Sequence, residues 1–524
     1  MELDKYRWYA NINLNYKFSD QLSISYQVSF DNEFEKLKRW GEIVNYIAGS
    51  PQDNASSQEV VGGVLEGSYN NNQFDTYLNI NYNTKINEDL TLDVLLGSNF
   101  TEYSANGLFT VVKGLDLPNY YELSNSASAP NLTQFDFVVR TFGFYGQAIF
   151  NFKNNYFLTL TARNDYTSTL PIENNSYFYP SVSLAAVVHD TEEAYIKLRG
   201  SLARIGNGTD PYQVFSTAGH AAYFGSITYP LAEVNAYEIF GRIENQDLKS
   251  ETTDEIEFGV DAKFFNNRIG LDLALYSRAT NDLIVNLPVA RSTGYSTIKG
   301  NFIDLTNKGI ELAVSGRPIE KGDFTWDISY TFTKNKNKVN NVNADDDKVS
   351  IYSAYATNFY AEKGKPLGSF YGPSPSKTAS GQYIADPDTG YYTYDDTENY
   401  LGTSERDFIM GLSNNFSYKN FRLGFSFDWK KGGDFYSYTK RLSHFVGNGI
   451  ETTYNDRNSW IIPNSVVPDG AGGYKENTTP VDYEDVTAFY NSSQNEAIEG
   501  DMLLTEVLCG YAPYHCLIIL IPHY

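Results

Sequence analysis

Cysteine is absent from residues 1 to 508 and then appears twice, as Cys509 and Cys516. That excludes a disulfide framework of the kind that braces small secreted domains and leaves at most one bond, at the very end. Long apolar runs are missing too. No stretch approaches the roughly 20 consecutive apolar residues that a membrane-spanning helix requires, so a helical membrane protein is excluded. Positive charge is in short supply, with 40 Lys and Arg against 64 Asp and Glu and a net charge of −24. Such a balance gives no basic footprint for phosphates, which excludes nucleic acid as a partner. Met1 to Arg7 show no charged segment leading into an apolar one, so no signal peptide is read there. Leu, Ala and Glu do not dominate as they would in a helical protein.

What is abundant is aromatic: 43 Tyr and 33 Phe in 524 residues. Aromatic and β-branched side chains suit a pleated surface with one apolar face, and the period-two pattern is clear from the start. Tyr6, Trp8, Ala10, Ile12, Leu14, Tyr16 and Phe18 alternate with Arg7, Tyr9, Asn11, Asn13, Asn15 and Lys17. After a turn at Ser19-Asp20, Leu22, Ile24, Tyr26, Val28 and Phe30 alternate with Gln21, Ser23, Ser25, Gln27 and Ser29. This predicts a hairpin with one apolar and one polar face. The scheme repeats with Phe74, Leu78, Ile80 and Tyr82, then Leu90, Leu92, Val94 and Leu96, around a turn at Asn87 to Asp89. Further turns are read at Lys153 to Asn155, His189 to Glu193, Phe265 to Arg268, Pro318 to Asp323 and Lys419-Asn420, giving seven hairpins and fourteen strands.

Between the hairpins lie long connections rich in Asn, Gly, Ser, Asp and Tyr: residues 31 to 72, 101 to 136, 205 to 250 and 333 to 407. Short turns alternating with long loops are foreign to a sandwich and normal for an outer-membrane barrel. Apolar arms of about ten to twelve residues match a tilted membrane strand. Aromatic residues near the arm ends (Tyr6, Trp8, Phe74, Phe150, Phe152, Trp326, Phe427 and Trp429) suit the headgroup level. The opposite rows, such as Asn79, Asn81 and Asn83, suit a wet lumen. Residues 1–499 are therefore expected to form a partial transmembrane antiparallel β-barrel, with short periplasmic turns and long extracellular loops.

Several segments resemble the SusC/RagA family of TonB-dependent outer-membrane transporters. They are Asn245-Gln246-Asp247-Leu248-Lys249-Ser250-Glu251-Thr252-Thr253, then Glu257-Phe258-Gly259-Val260-Asp261 and Phe264-Phe265-Asn266-Asn267-Arg268. Gln246 and Ser250 depart from the Pro and Trp usual in that family. Asn307 to Leu312, Lys197 to Ser201 with Gly206 to Gly208, and Phe416 to Phe421 also fit, and Lys365-Pro366-Leu367-Gly368-Ser369-Phe370-Tyr371-Gly372 is the most specific. The matches run in order from about residue 160 to residue 430. The resemblance implies a barrel of about 22 strands, a plug domain, a signal peptide and a TonB box. It also implies a SusD-like surface lipoprotein as partner and glycans or peptides as cargo. Against that pattern, plug and signal peptide are expected to be absent here. The tail 500–524 is expected to be aberrant, from a frameshift or gene-call artefact, and the segment is expected to be inactive alone. The rival readings are a secreted all-β adhesin or lectin, and a passive outer-membrane porin.

No enzyme is read. His189, His220 and His444 are scattered and read as solvated or turn residues, with no ligand-type neighbour at metal spacing. Asp345-Asp346-Asp347 and Asp386-Pro387-Asp388-Thr389-Gly390 read as polar turns rather than cation loops. No catalytic, cofactor-binding or metal-binding residue is nominated, and no cofactor is expected. The tyrosine runs Tyr352, Tyr355 and Tyr360, and Tyr391, Tyr392 and Tyr394, offer faces for sugar or peptide. Loop packing or a contact with the lipoprotein explains them equally, so substrate-binding residues stay unassigned.

Overall fold

A computed structural model of the chain describes residues 1–44, 60–126, 129–215, 218–220, 222–223, 227–228, 234, 236–239, 241–343, 347–354, 357–394, 398–481, 489–490 and 502–510. It is almost wholly antiparallel β-structure, in two compact units.

The first unit holds Met1–Val182, Gly206–Phe215 and Gln246–Ser250. Its strands are β1 (Glu2–Lys17), β2 (Leu22–Val44), β3 (Val60–Lys85), β4 (Leu90–Lys113), β5 (Asn131–Phe152) and β6 (Tyr156–Thr167), each paired with the next. Two more strands, β7 (Ser176–Asp190) and β8 (Ala194–Asn207), are divided between the units. The second unit contains β9 (Glu251–Phe264), β10 (Ile269–Pro288), β11 (Thr297–Lys321), β12 (Phe324–Val342), β13 (Arg406–Tyr418) and β14 (Phe421–Tyr436), again paired in order. Each of the seven turns read from the sequence overlaps a hairpin connection, and two are tighter than read, since β7 runs to Asp190 and β11 to Lys321. Three of them use left-handed non-glycine residues at their tips: Lys153 and Asn154; Phe265, Asn266 and Asn267; and Lys419, as tight antiparallel connections demand.

The pairing keeps the two sides of the sheet apart. Ile24 faces Ile80 and Ile80 faces Leu96, while Ser25 faces Asn79 and Asn79 faces Gly97. Side chains alternate strictly across a strand, so this register holds every apolar row on one face. That face is not a core. Leu14 is 61% exposed and Ile80 40%, and Val94 is only partly covered. Among the described residues no second sheet is packed over them.

Strand length departs from expectation. Alternation ends β2 near Phe30 and starts β3 near Phe74, yet the ladder runs unbroken from Leu22 opposite Tyr82 to Gly41 opposite Gly63, and on to Val44 opposite Val60. Strands β2 to β5 have 23, 26, 24 and 22 residues. At about 3.3 Å per residue, such a strand reaches roughly 75 Å, far beyond a hydrocarbon layer of about 30 Å. The distal half has water on both faces, so the periodicity fades while backbone pairing persists. Cross-strand ion pairs take over there, as between Lys5 and Glu33 (2.7 Å) and Lys38 and Glu66 (2.8 Å). A small core of Val64, Val112 and Leu115, with Trp40, Ile43, Tyr121 and Leu123 against it, closes this end.

In the second unit the connection 333–407 is likewise not a plain loop. It builds a four-stranded sheet of Lys348–Ala354, Thr357–Glu362, Ser369–Gly372 and Asn399–Thr403. One further strand, β15 (Leu503–Gly510), pairs with β14 in the region read as an aberrant tail. Cys516, His515 and His523 lie outside the described residues, as do Asp345, Asp346 and Tyr355.

Candidate functional site

On the polar face of the first unit, one row crosses four strands as Asn79, Gly97, Tyr145 and Arg163. The next row holds Asn99, Gly143 and Asp165. Glycine is required where the rings and the guanidinium must lie flat. A Cβ on Gly97 would run into the Tyr145 ring, and one on Gly143 would lie 2.7 Å from a guanidinium nitrogen of Arg163. In the space so left, Tyr145 Oη donates to Asn79 Oδ1 (2.6 Å) and Arg163 donates to Asn99 Oδ1 (2.6 Å), to Asp165 Oδ1 (2.8 Å) and to Tyr179 Oη (2.8 Å). Tyr179 in turn donates to Asp165. The Arg163 and Asp165 charges thus offset one another within the cluster.

The second unit repeats the device with motif residues. Arg199 lies over Gly259, where a Cβ would strike it, and pairs with Asp261, with Asp272 at 3.0 Å and with Glu257 at 3.5 Å. The motifs at 197–201 and 257–261 therefore meet in one ion cluster.

The segment Lys365 to Gly372 has a structural task. Gly364 N–H donates to Val339 O and Val339 N–H to Lys365 O, both at 2.8 Å, and Leu367 N–H donates to Asn337 Oδ1 at 2.7 Å. Leu367 packs against a core of Ile303, Val339, Val342 and Ala361. Lys365 Nζ donates to Tyr371 Oη (2.6 Å), and Lys348 Nζ sits 3.6 Å from the Tyr371 ring centre and 4.1 Å from that of Tyr360. Burial, joined by the neighbouring Glu362, pushes the Tyr371 hydroxyl above its ordinary value. Tyr360 thus serves loop packing, whereas Tyr352 projects into solvent.

A pocket of 590 Å³ lies in the chain that follows β14. The helix α1 (Tyr438–Phe445), capped by Ser437 Oγ accepting from Lys440 N–H at 3.2 Å, supplies Lys440 and His444. The turns of Ile450–Arg457 supply Ile450, Glu451, Thr453 and Tyr454. Here Asn455, Asp456 and Arg457 are all left-handed, with φ of 50°, 52° and 61°. Such a conformation costs roughly 1–2 kcal/mol per residue, and it swings Tyr454 against Trp460, ring centres 4.9 Å apart. Trp460, Phe489 and Tyr490 continue the wall with edge-to-face contacts of 5.0 Å each. Tyr392 lines the pocket as well; it and Tyr391 also pack on Phe489.

His444 overturns its sequence reading: it is 4% exposed, on a helix, and its Nε2 lies 3.1 Å from Glu451 Oε2. The spacing of seven hid the pair, because the chain reverses between the two. Glu451 accepts from its own backbone N–H and from His444, which together hold its carboxyl below the usual range. His444 Nδ1 and Trp460 Nε1 are buried and have no hydrogen-bond partner among the described residues, an arrangement that costs about 1–3 kcal/mol per atom. The sequence pass missed Trp460, Tyr454, Phe489 and Tyr490; aromatic density around a lone histidine was the available signal.

The other nominated groups stay apart from this pocket. His189 is exposed beside Thr191, 3.3 Å away, and the side chain of His220 lies outside the described residues. Asp386 is a turn: its Oδ1 accepts from the N–H groups of Asp388 and Thr389 at 2.9 and 2.8 Å, which outweigh burial and lower its pKa. Among the described residues no group of three His, Cys, Asp or Glu is placed to hold a metal ion. No helix is long and apolar enough to cross a membrane among them either, which says nothing about strands.

Residues 2–397 match the family model described as TonB dependent receptor-like, beta-barrel. TonB-dependent receptor P26 of Formosa agariphila is 26% identical over 76% of this chain and 43% of its own length. TonB-dependent receptor SusC of Bacteroides thetaiotaomicron is 25% identical over 80% of this chain and 42% of its own. This chain thus spans less than half of either relative. Among solved structures, that of the RagAB peptide transporter superposes with a TM-score of 0.71 at 18% identity, covering 84% of this chain and 49% of that one. A model match over most of the sequence, joined to the hairpin ladder with its exposed apolar face, carries one conclusion: the chain belongs to the TonB-dependent receptor-like β-barrel family.

Proposed function

We propose that this chain is the wall of an outer-membrane importer for glycans or peptides, working with a SusD-like surface lipoprotein and energised through TonB. One observation carries the reading: near the hairpin turns the apolar rows lie exposed, as Leu14, Leu78, Ile80 and Leu96 do, on strands that run on into ladders of charged and polar pairs. A soluble adhesin would bury that band, whereas a bilayer covers it. The relatives lend support, since SusC is a TonB-dependent receptor and RagAB a peptide transporter by their names.

The test is deletion of the complete gene in its host, followed by growth on single glycans or peptides and by fractionation of tagged protein. The expected result is loss of growth on one nutrient class, with a heat-modifiable species in the outer membrane. Unimpaired growth on every nutrient together with a soluble, heat-insensitive protein would overturn the proposal.

A further inference from the structure

Four lysines of the second unit stand in a row without acidic partners. Along β12 the apolar positions Trp326, Ile328, Tyr330 and Phe332 are followed, in the same alternation, by Lys334, Lys336 and Lys338. The ladder to β11 has no slip between Leu305 and Gly316, so these lysines share the face of the apolar row, and Lys308 stands directly opposite Lys336 on it. Asn335 and Asn337 alternate with them and donate to Asn307 Oδ1, both at 2.9 Å. All four lysines are exposed, and among the described residues none forms an ion pair. We propose that this row binds the phosphate groups of an anionic lipid headgroup. The proposal rests on the membrane-wall part of the reading above and adds a lipid class to it.

The lack of partners is informative. Like charges set directly opposite one another on a sheet are destabilising. Acidic side chains are plentiful in a chain of net charge −24, and the first unit uses them beyond its apolar rows, where Lys5 meets Glu33 and Lys38 meets Glu66. A row left uncompensated here gains by meeting an anion from outside. Its height says which anion. From Phe324 to Phe332 the strand covers roughly 30 Å of its own length, or about 23 Å of height at a tilt near 40°, close to the apolar band of a membrane barrel. Phe332, Phe408 and Trp429 then touch in series, with ring centres 5.8 and 5.2 Å apart, and such rings gather at the headgroup level. The lysines follow at once, spaced about 7 Å apart along β12. Their stems can lie along apolar surface while the ammonium groups reach out to phosphate. Basic clusters beside a membrane surface select anionic lipids. A soluble acidic protein suits the row less well, because its lower edge adjoins the lipid-covered band.

The experiment uses the complete receptor extracted from outer membranes in detergent, with lipid binding read by native mass spectrometry. Lipid A, phosphatidylglycerol and phosphatidylcholine are the probes, and excess inorganic phosphate is the competitor. Lipid A is expected to bind most tightly, phosphatidylglycerol less so, and phosphatidylcholine not above background. Lys334→Gln, Lys336→Gln and Lys338→Gln together should weaken lipid A binding on the order of a hundredfold, at about fivefold per lysine. Arg at the same three positions should restore it. Lys85→Gln, Lys321→Gln and Lys419→Gln together remove equal charge from the turn side and should change nothing. Lys336→Gln alone, with its fivefold loss, serves if the triple variant is not recovered. Equal binding in wild type and the Gln variants would overturn the proposal, as would equal binding of phosphatidylcholine, failure of Arg to restore binding, or displacement of the lipid by inorganic phosphate. Energised uptake in cells is scored separately. Lysine-dependent lipid binding without uptake leaves the lipid site standing and removes the importer; uptake with lysine-independent lipid binding does the reverse.

Discussion

The turn-side and loop-side halves of these hairpins share one backbone ladder and obey different chemistry. Near the turns every second residue is apolar and lies open on one face, as Leu14, Leu78 and Ile80 do. Farther along the same strands, the rows become Asp31, Glu33 and Asn70 to Asn72, and stability shifts to ion pairs and to compact local cores. Identical pairing in two solvents shows that the surroundings, rather than the fold, write the side-chain pattern.

The contrast is sharpest at a loop-side core. Ile303 is fully buried among Val339, Val342 and Ala361, and Ile303→Ala should remove about 2–5 kcal/mol. Limited proteolysis should then cut within residues 343–407 while the turn-side strands stay protected; cleavage spread evenly over the chain would erase the distinction. Next comes charge on the open apolar row. Ile80→Arg should lose about 2–4 kcal/mol of membrane-inserted stability, whereas Leu108→Arg, in the same row of β4 but past the bilayer, should change it by less than about 0.5 kcal/mol. Urea titration of vesicle-inserted protein compares them, and equal losses would mean that the two halves share one environment.

A third effect separates crowded from open glycine positions. Gly143→Val forces a side chain into the Arg163, Asp165 and Asn99 cluster and should cost about 1–3 kcal/mol. At Gly41 a Cβ would meet nothing within 4 Å, so Gly41→Ala should be near neutral in the same titration. The smallest effect concerns pH. Glu451 has its pKa lowered in the folded loop, so its stabilising share is complete above the ordinary carboxylate pKa of about 4.3 and lost as pH falls through the lowered value. Protection factors around Trp460, corrected for the intrinsic pH dependence of amide exchange, should fall over that acid window and stay level in Glu451→Gln.

The sequence was readable where chemistry repeats. Positions of the seven turns and the parity of each strand follow from alternation, because a one-residue slip would turn the whole apolar row to the wrong side. It was unreadable where both faces are wet: nothing in Asn70 to Asn72 marks a strand, and only the ladder to Asn32, Glu33 and Phe34 reveals one. The pocket was hidden for another reason. His444, Glu451, Tyr454, Trp460 and Phe489 share no period, and left-handed turns at Asn455 to Arg457 bring them together.

The seam between β12 and the segment after Glu362 is sewn from main-chain atoms, with Val339 both giving and receiving a bond. Peptide groups are the same whatever side chains they carry, so this footing asks little of the letters around it beyond the turn at Gly364, left-handed at φ 92°. Whatever stands on the seam can be rewritten without loosening it. A lineage could exchange the surface it shows to passing nutrients while the strand beneath keeps its register.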